Sequence, residues 1–325
     1  MTSAAFDVLG IGNAIVDILS HTDDAFLSQH GLIKGSMMLI DEERAETLYA
    51  VTGPGVEVSG GSCGNTMAGI ASFGGTGAYI GKVRNDQLGE VFRHDLKATG
   101  VSFETASATS GPATARCLIL VTPDGQRTMN TYLGACTGLG PVDIDTKVVG
   151  AARVTYVEGY LWDAPEAKKA VLKAFDAAHQ AGRLVSITLS DSFCVHRYRE
   201  EFRDLIRNRV DILFGNEAEI KALYEVETFE EAMEATRKEA KIAALTRSEK
   251  GSIVIKGSET YAVAAAPVAK VVDTTGAGDL YASGFLFGYT HGKPLAECAR
   301  LGGIAAAEII SHIGARPEQA LRGLV

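Results

Sequence analysis

The chain has 325 residues, of which 46% are hydrophobic and 22% charged, so it can fold as one large or two ordinary globular domains with a full core. Its formal net charge of −9 disfavours nucleic acid and anionic membranes as partners, because both are negatively charged. The five scattered cysteines form no C-x-x-C pair and the N-terminus lacks a signal-peptide pattern, which predicts reduced thiols in a cytoplasmic protein.

The first predicted element is a buried strand from Phe6 to Gly12, which Asn13 and Asp17 follow. Open α/β sheets bind ligands beyond the carboxyl ends of their strands, so these two polar side chains are candidates for ligand contacts. They would equally suit a turn, and the residues alone do not separate the two interpretations.

Two segments interrupt a regular alternation of strands and helices. Residues 36–59 predict a short strand, a helix and an exposed strand, and residues 114–133 predict a β-hairpin around Pro123-Asp124-Gly125. We therefore expect a small β lid, discontinuous in sequence, over an α/β body. Arg127 lies on the hairpin, where a solvated charge is the simpler interpretation.

An exposed lid strand could pair with that of a second subunit, so we expect a monomer or a homodimer.

A glycine-rich segment, Gly60 to Gly64, precedes a helix predicted from Asn65 to Phe73. Its residues match a G-x-S-x-G nucleophile elbow, but glycine-dense loops often match this pattern by chance. The better interpretation is a close approach of the backbone to a polyhydroxy ligand, with Asn65 contributing hydrogen bonds.

After residue 140 the alternation becomes regular, and this predicts a mostly parallel sheet covered by helices on both faces. The predicted strands are residues 154–157, 184–188 and 210–214, and the predicted helices are residues 165–181 and 196–208. Glu217 and Glu219 follow the third strand, where carboxylates could hold a hydrated Mg²⁺ beside phosphates. Asn216 and Glu219 also have the spacing of a helix cap, and both interpretations can hold together.

The segment Asp273 to Asp279 carries the strongest chemical signal. Val271 and Val272 are predicted to end a strand, Gly276-Ala277-Gly278 to form a turn, and residues 280–289 to form a helix. Unpaired N–H groups and the positive end of a helix dipole would bind anionic oxygen at this turn. Asp279 could then accept a proton from an attacking hydroxyl, the arrangement that phosphoryl transfer needs. A last helix, from Pro294 to about Ser311, is rich in small residues and should be buried.

The motifs Asp273–Leu286 and Gly60–Thr66 resemble the two signature motifs of the phosphofructokinase-B/ribokinase family of carbohydrate and nucleoside kinases. The likeness runs from Phe6 to about Glu318. It implies a ribokinase-like α/β fold, with a three-layer αβα body around a mostly parallel sheet and a small β lid. We expect the body to comprise residues 1–16, 61–103 and 138–325, and the lid residues 17–60 and 104–137.

Within the family, the four-residue spacing of Asn13 and Asp17 and the segments 210–217 and 309–314 resemble the adenosine kinase branch. The resemblance implies an ATP- and Mg²⁺-dependent kinase that phosphorylates the 5′-hydroxyl of adenosine by direct in-line transfer, with Asp279 as base. The alternatives are a kinase for another nucleoside or for a free sugar such as ribose or fructose, and a non-catalytic nucleoside-binding protein.

The same resemblance implies roles for the candidate site residues. Gly276, Ala277 and Gly278 would form the anion hole for the transferred phosphoryl group. The substrate contacts would be Asn13, Asp17, Leu39, Gly60, Gly61, Ser62, Asn65, Leu133 and one aromatic residue, Tyr160 or Trp162. The ATP contacts would be Arg127, Asn216, Thr246 and Gly251, with Glu219 ordering Mg²⁺ through water. Asp273 and Thr275 could bind a monovalent cation such as K⁺.

Overall fold

The computed structural model describes residues 4–325; Met1, Thr2 and Ser3, which the domain prediction included, lie outside the described residues. The described chain forms a nine-stranded sheet and a five-stranded sheet. The strands of the larger sheet are β1 (Phe6–Ile11), β5 (Gly77–Ile80), β6 (Ser102–Phe103), β9 (Ala152–Glu158), β10 (Leu184–Thr188), β11 (Ile212–Asn216), β12 (Ile242–Thr246), β13 (Ser252–Lys256) and β14 (Glu259–Val263).

The larger sheet has the order β14-β13-β12-β11-β10-β9-β1-β5-β6, and all its strands run in the same direction except β13, which pairs antiparallel with both β12 and β14. Successive residues of its central strands enter two different hydrophobic clusters: Val8 packs on one face of the sheet and Leu9 on the other. Ile212 and Leu213 of β11 divide in the same way. Side chains alternate across a strand, so both faces are buried and the sheet is the middle of three layers.

Helices form the two outer layers of the body and also pack on the lid. They are α1 (Asp24–Gln29), α2 (Glu42–Val51), α3 (Ser62–Ser72), α4 (Gln87–Ala98), α5 (Thr146–Ala151), α6 (Pro165–Gln180), α7 (Ser192–Asn208), α8 (Glu217–Tyr224), α9 (Phe229–Glu239), α10 (Ala277–Thr290) and α11 (Leu295–Ile309). One layer contains α5 to α9, and the other contains α3, α10 and α11. The predicted fold class, a three-layer α/β body with a β lid, is confirmed.

The smaller sheet forms the lid and has the order β3-β8-β7-β2-β4. Its strands are β2 (Ile15–His21), β3 (Met37–Leu39), β4 (Gly55–Ser59), β7 (Ala115–Val121) and β8 (Arg127–Tyr132). Apart from Ile15 and Val16, these strands lie within the two segments predicted for the lid. Strands β7 and β8 form the antiparallel hairpin that the Pro-Asp-Gly turn predicted.

Several elements differ from the sequence prediction. Helix α10 begins at Ala277, so Ala277 and Gly278 belong to its first turn and not to a separate turn before it. Asp17 does not lie in a turn after β1, because residues 15–21 form a lid strand that the sequence did not reveal. Val271 and Val272 do not end a strand: they are exposed in a loop, where the Val272 N–H donates to the Ile310 carbonyl oxygen at 2.8 Å. Helix α3 begins at Ser62 rather than Asn65, because Gly61 takes a φ of +79° as its N-cap.

Among residues 4–325 no helix is both long and apolar enough to cross a membrane.

Close packing of α10 on α11 depends on Gly284. A Cβ atom at this position would lie 2.5 Å from the Leu301 carbonyl oxygen and 2.7 Å from the Gly302 nitrogen, both backbone atoms. We expect Gly284→Ala to lower the free energy of unfolding by roughly 1–3 kcal/mol, because the helices must separate. Denaturant unfolding would measure it, with Gly138→Ala as control, since no heavy atom lies within 4 Å of a Cβ there. Equal stability of the two variants would contradict this account.

Candidate active site

A single cleft of about 1310 Å³ lies between the inner face of the lid sheet and the carboxyl ends of the body strands. Pockets for one small ligand usually have volumes of roughly 300–1,000 Å³, so this cleft has room for two. It is lined by most of the predicted site residues: Asn13, Asp17, Leu39, Gly61, Ser62, Asn65, Leu133, Tyr160, Asn216, Glu219, Thr246, Gly251, Thr275, Gly276, Ala277, Gly278 and Asp279.

The N-terminus of α10 opens into this cleft. Gly276 is its N-cap, with a φ of +78°, and the Ala277 N–H donates to the Thr274 carbonyl oxygen at 3.2 Å. No heavy atom lies within 4 Å of the position of a Gly278 Cβ, so this residue presents its backbone openly. The first N–H groups of a helix have no intrahelical acceptor and carry partial positive charge, so this turn can bind an anion.

Asp279 lies in the first turn of α10 and contacts the first turn of α3. Ser62 Oγ donates to its Oδ1 at 2.6 Å, and Asn65 Nδ2 donates to its Oδ2 at 3.1 Å. Burial raises the pKa of Asp279 to about 6, against the opposing effects of these two hydrogen bonds and of Arg316. The carboxylate is therefore ionised at neutral pH, yet more basic than an exposed aspartate.

Asp17 reaches the cleft from the lid strand β2. Burial raises its pKa to about 7, while Arg316 and Arg127 lower it and Asp279 raises it further. Within residues 4–325 no group donates a hydrogen bond to its carboxylate, which leaves both oxygens available to a ligand. Gly60 does not line the cleft; a Cβ there would lie 2.2 Å from Asp17 Oδ2, so the glycine gives this carboxylate its space.

Glu158, which the sequence analysis missed, joins the two substrate segments beneath the cleft. Its Oε1 accepts from the Asn13 N–H and its Oε2 from the Cys63 N–H, both at 2.9 Å. The side chain is only 1% exposed, and burial raises its pKa to about 7. The available signal was its place directly after the predicted strand 154–157, at the carboxyl end where ligands bind.

At the other end of the cleft, Asn216 and Glu219 form a complete capping box for α8. Glu219 N–H donates to Asn216 Oδ1 at 2.9 Å, and Glu219 Oε2 accepts from Asn216 N–H at 3.0 Å. Glu219 is 6% exposed, and burial raises its pKa to about 7. Glu217 instead pairs with Arg247 at 3.0 Å, so of the two carboxylates only Glu219 lines the cleft.

Of the two candidate aromatic residues, only Tyr160 lines the cleft, and its hydroxyl donates to the Ser190 carbonyl oxygen at 3.4 Å. Trp162 is 2% exposed, packs against Phe202 in the body core, and donates from Nε1 to Glu201 at 2.8 Å. Of the two alternatives, Trp162 therefore does not line the cleft, because the short helical turn 159–163 directs its ring into the core.

Arg127 and Asp273 join the lid to the body, and neither lines the cleft. Arg127 Nη1 lies 2.8 Å from Asp273 Oδ2, and each side chain is 7% exposed. The interpretation of Arg127 as a solvated charge was wrong. Asp273 also accepts from the N–H and Oγ1 of Thr275, at 3.0 and 2.8 Å, and from the Gly314 N–H at 3.1 Å.

Because the carboxylates of the cleft are buried, we expect the free energy of unfolding to depend on pH through their raised pKa values. Burial raises the pKa of Asp17, and a raised acid pKa means that the folded protein holds a proton that the unfolded chain releases. Its contribution to the free energy of unfolding therefore increases as pH falls from the folded pKa of about 7 towards the ordinary value of 3.8. We expect Asp17→Asn to melt a few degrees above the unliganded wild type at pH 8, and this difference in Tm to shrink steadily as the pH falls towards 4. If the difference in Tm between Asp17→Asn and the wild type did not change with pH, the raised pKa of Asp17 would be contradicted.

Comparison with known proteins places the chain among kinases. The sequence matches the pfkB family of carbohydrate kinases over residues 35–320. The structure of adenosine kinase from Sinorhizobium meliloti is 56% identical, with a TM-score of 0.92 over 99% of this chain and 98% of that one. The structure of a probable sugar kinase from Rhizobium etli is 54% identical, with a TM-score of 0.93 over 99% of this chain and 98% of that one. The structure of adenosine kinase from Schistosoma mansoni, in complex with 2-fluoroadenosine, is 26% identical, with a TM-score of 0.84 over 98% of this chain and 99% of that one.

Proposed function

The chain belongs to the pfkB family of carbohydrate kinases and is an ATP-dependent kinase with an alcohol group as acceptor, and on this premise we propose that it phosphorylates the 5′-hydroxyl of adenosine. One observation carries the proposal: Asp279 lies at the start of α10 inside the cleft, where Ser62 and Asn65 orient its carboxylate. The similarity to adenosine kinases of known structure supports adenosine as the acceptor.

In the proposed reaction the 5′-hydroxyl gives its proton to Asp279 while its oxygen attacks the terminal phosphorus of ATP. The bond from that phosphorus to the bridging oxygen breaks in line, so that ADP leaves with the electron pair and AMP forms without a covalent enzyme intermediate. The N–H groups of Gly276 and Gly278 would stabilise the oxygens of the transferred group, and that of Ala277 would join them once it leaves the Thr274 carbonyl oxygen. Closure of the lid would exclude water that could otherwise hydrolyse ATP.

The lining of the cleft favours a nucleoside over a free sugar. Asp17 offers two free carboxylate oxygens, and Asn65 Oδ1 is buried without a hydrogen-bond partner in the described chain, so both can accept from ribose hydroxyls. The lid adds an apolar surface that a free sugar would not use but a flat base would cover. This surface comprises Leu39, Ile119, Met129 and Leu133.

The family uses ATP with Mg²⁺, and we propose that Glu219 orders the ion through water. When bound, Mg²⁺ neutralises charge on the phosphates. In the part of the chain that the structure describes, no cluster of three or more His, Cys, Asp or Glu side chains could hold a metal directly. An ion that keeps several waters and few protein ligands fits this donor set. We propose that Asn216, Thr246 and Gly251 contact the nucleotide and that Arg127 contacts its phosphates in the closed state.

We propose that K⁺ binds beside Asp273 and Thr275 only after Arg127 has left Asp273. Both carboxylate oxygens of Asp273 already accept protein hydrogen bonds, and the Arg127 guanidinium supplies the positive charge there. Turnover should then be higher in potassium than in tetramethylammonium salts of equal ionic strength. Equal turnover would remove the cation from the proposal.

Acceptor specificity is tested with purified protein, ATP and Mg²⁺ against a panel of adenosine, guanosine, cytidine, ribose and fructose. We expect ADP release with the highest kcat/KM for adenosine, and AMP as the product. A higher kcat/KM for a sugar would replace adenosine with the sugar. Thermal stabilisation by adenosine without ADP release would instead indicate a non-catalytic binding protein.

For the oligomeric state, we propose either a monomer or a homodimer joined through the lid. Strands β3 and β4 are the edges of the lid sheet, and Met37, Leu39 and Val56 on them are exposed. Light scattering after size-exclusion chromatography distinguishes the two. If a dimer forms through β4, Val56→Lys should dissociate it.

A further inference from the structure

The C-terminal loop, residues 311–319, packs behind the proposed acceptor site. Glu308 Oε1 accepts from the Glu318 and Gln319 N–H groups, both at 3.0 Å, and so fixes the end of the loop to α11. Gly314 fixes its start to Asp273, and a Cβ at Gly276 would lie 3.0 Å from the Ala315 Cβ. The loop is therefore held at its start against the segment that precedes Asp279 and at its end against α11.

Arg316, which the sequence analysis did not select, extends from this loop to the start of α3. Its Nε donates to the Ser59 carbonyl oxygen at 2.9 Å, its Nη2 to Ser59 Oγ at 3.1 Å and its Nη1 to the Gly64 carbonyl oxygen at 2.5 Å. These acceptors flank Ser62, and Asn65 follows directly. One planar guanidinium thus fixes both ends of the turn that orients the Asp279 carboxylate.

All three acceptors of Arg316 are uncharged, and among residues 4–325 it forms no ion pair, so its charge is not neutralised by contact. The carboxylates that act on it are Asp17, Asp279 and Asp95, of which Asp95 already accepts from the Ser59 N–H at 3.0 Å. Burial lowers the pKa of Arg316 to about 10, which leaves it cationic at neutral pH.

The other titratable groups around Asp279 make this positive charge important. They are Asp17 on β2, Cys63 on α3, Tyr156 and Glu158 on β9, Tyr160 after β9, and Glu219 on α8. Each of these groups is neutral when protonated and negative when ionised. Any of them that ionises therefore makes it harder for Asp279 to lose its proton. Arg316 is the cation that acts on Asp279, and it also acts on Asp17.

We infer that Arg316 is a positioning residue for the reaction: it fixes the turn whose Ser62 and Asn65 orient Asp279. Its positive charge also favours the ionised form of Asp279 and of Asp17. The inference rests on the proposed function, because it assigns Asp279 the role of base. Arg316 itself does not line the cleft, so its effect passes through the two carboxylates and the turn.

Arg316→Met tests the inference, since methionine keeps the apolar stem but removes the charge and the three donors. We expect kcat/KM to fall about a hundredfold at pH 7.5, the loss that a displacement of about 1 Å can cause. In the pH profile of kcat/KM, the acid limb (the fall in kcat/KM at low pH) should move to higher pH, because Asp279 is more readily protonated without the cation. Arg300→Met on α11, whose partner is the exposed Glu297, serves as control and should match the wild type.

Arg316→Lys separates charge from geometry. Its ammonium keeps the positive charge but cannot span Ser59 and Gly64, so we expect the acid limb to stay in place while kcat falls about tenfold. A folded Arg316→Met enzyme with a wild-type profile, or one that loses activity without any shift of its acid limb, would overturn the inference. If Arg316→Met does not fold, a wild-type kcat for Arg316→Lys overturns it. The proposed function fails separately, if the wild type phosphorylates no nucleoside.

Discussion

We expect the Asp279→Asn enzyme to turn over adenosine roughly a thousandfold more slowly than the wild type while binding the nucleoside with similar affinity. Asparagine has nearly the same shape, so Ser62 and Asn65 can still contact it, but its amide cannot take the proton from the 5′-hydroxyl. The loss should therefore appear in kcat, because the missing interaction is made only in the transition state.

Single-turnover kinetics and titration calorimetry would separate the two quantities. The sole tryptophan, Trp162, lies in the body core, so calorimetry is the better measure of binding than intrinsic fluorescence. Asp176→Asn is a suitable control, because this exposed aspartate pairs with Arg209 on the far layer of helices. Near-normal turnover of Asp279→Asn would show that another group accepts the proton.

Asp17→Ala should lower kcat/KM for adenosine roughly a thousandfold, chiefly through KM. The carboxylate offers two free oxygens to the ribose hydroxyls, and a hydrogen bond to a charged group contributes about 1.5–3 kcal/mol. Two such bonds correspond to about two to four orders of magnitude in affinity. Burial already raises the pKa of Asp17 to about 7, so the wild-type KM should also rise below that pH.

Deoxynucleosides make this second prediction specific. The wild type should discriminate strongly against 2′-deoxy- and 3′-deoxyadenosine, whereas Asp17→Ala should treat at least one of them like adenosine. Asp24→Ala, on the neighbouring helix α1 and paired with Lys34, is the control and should retain wild-type discrimination. If Asp17→Ala discriminates as the wild type does, the ribose hydroxyls contact other residues.

The sequence predicted best what depends on local pattern. The alternation of strands and helices after residue 140 identified the parallel sheet, and the glycine-flanked turn before α10 identified the segment that carries Asp279. The hairpin of β7 and β8 followed from its Pro-Asp-Gly turn. In each case neighbouring residues determine the local backbone, so no distant contact was needed for the prediction.

What the sequence could not show depends on contacts between distant segments. Strand β2 pairs in register with lid strands roughly 40 and 100 residues away, so its place in the lid sheet depends on partners that no local pattern identifies. Arg316 acts on a turn that lies about 250 residues earlier in the chain. Tyr160 and Trp162 are equivalent as aromatic residues, and only the direction of the turn around them decides which one faces the cleft.

The ion pair between Arg127 and Asp273 has a consequence for the energetics of lid movement. Bringing a bare guanidinium from water into a narrow, dry space carries a large desolvation penalty. In this protein Arg127 is already desolvated before any nucleotide binds, because it and Asp273 are both buried. The desolvation therefore adds no further cost when the nucleotide arrives. If Arg127 turns to the nucleotide, it exchanges a carboxylate counterion for a phosphate one. The exchange leaves the buried Asp273 carboxylate without its cation, so the charges stay balanced only when the proposed K⁺ replaces Arg127 there. With that replacement, neither the open nor the closed state of the lid would be deeply favoured.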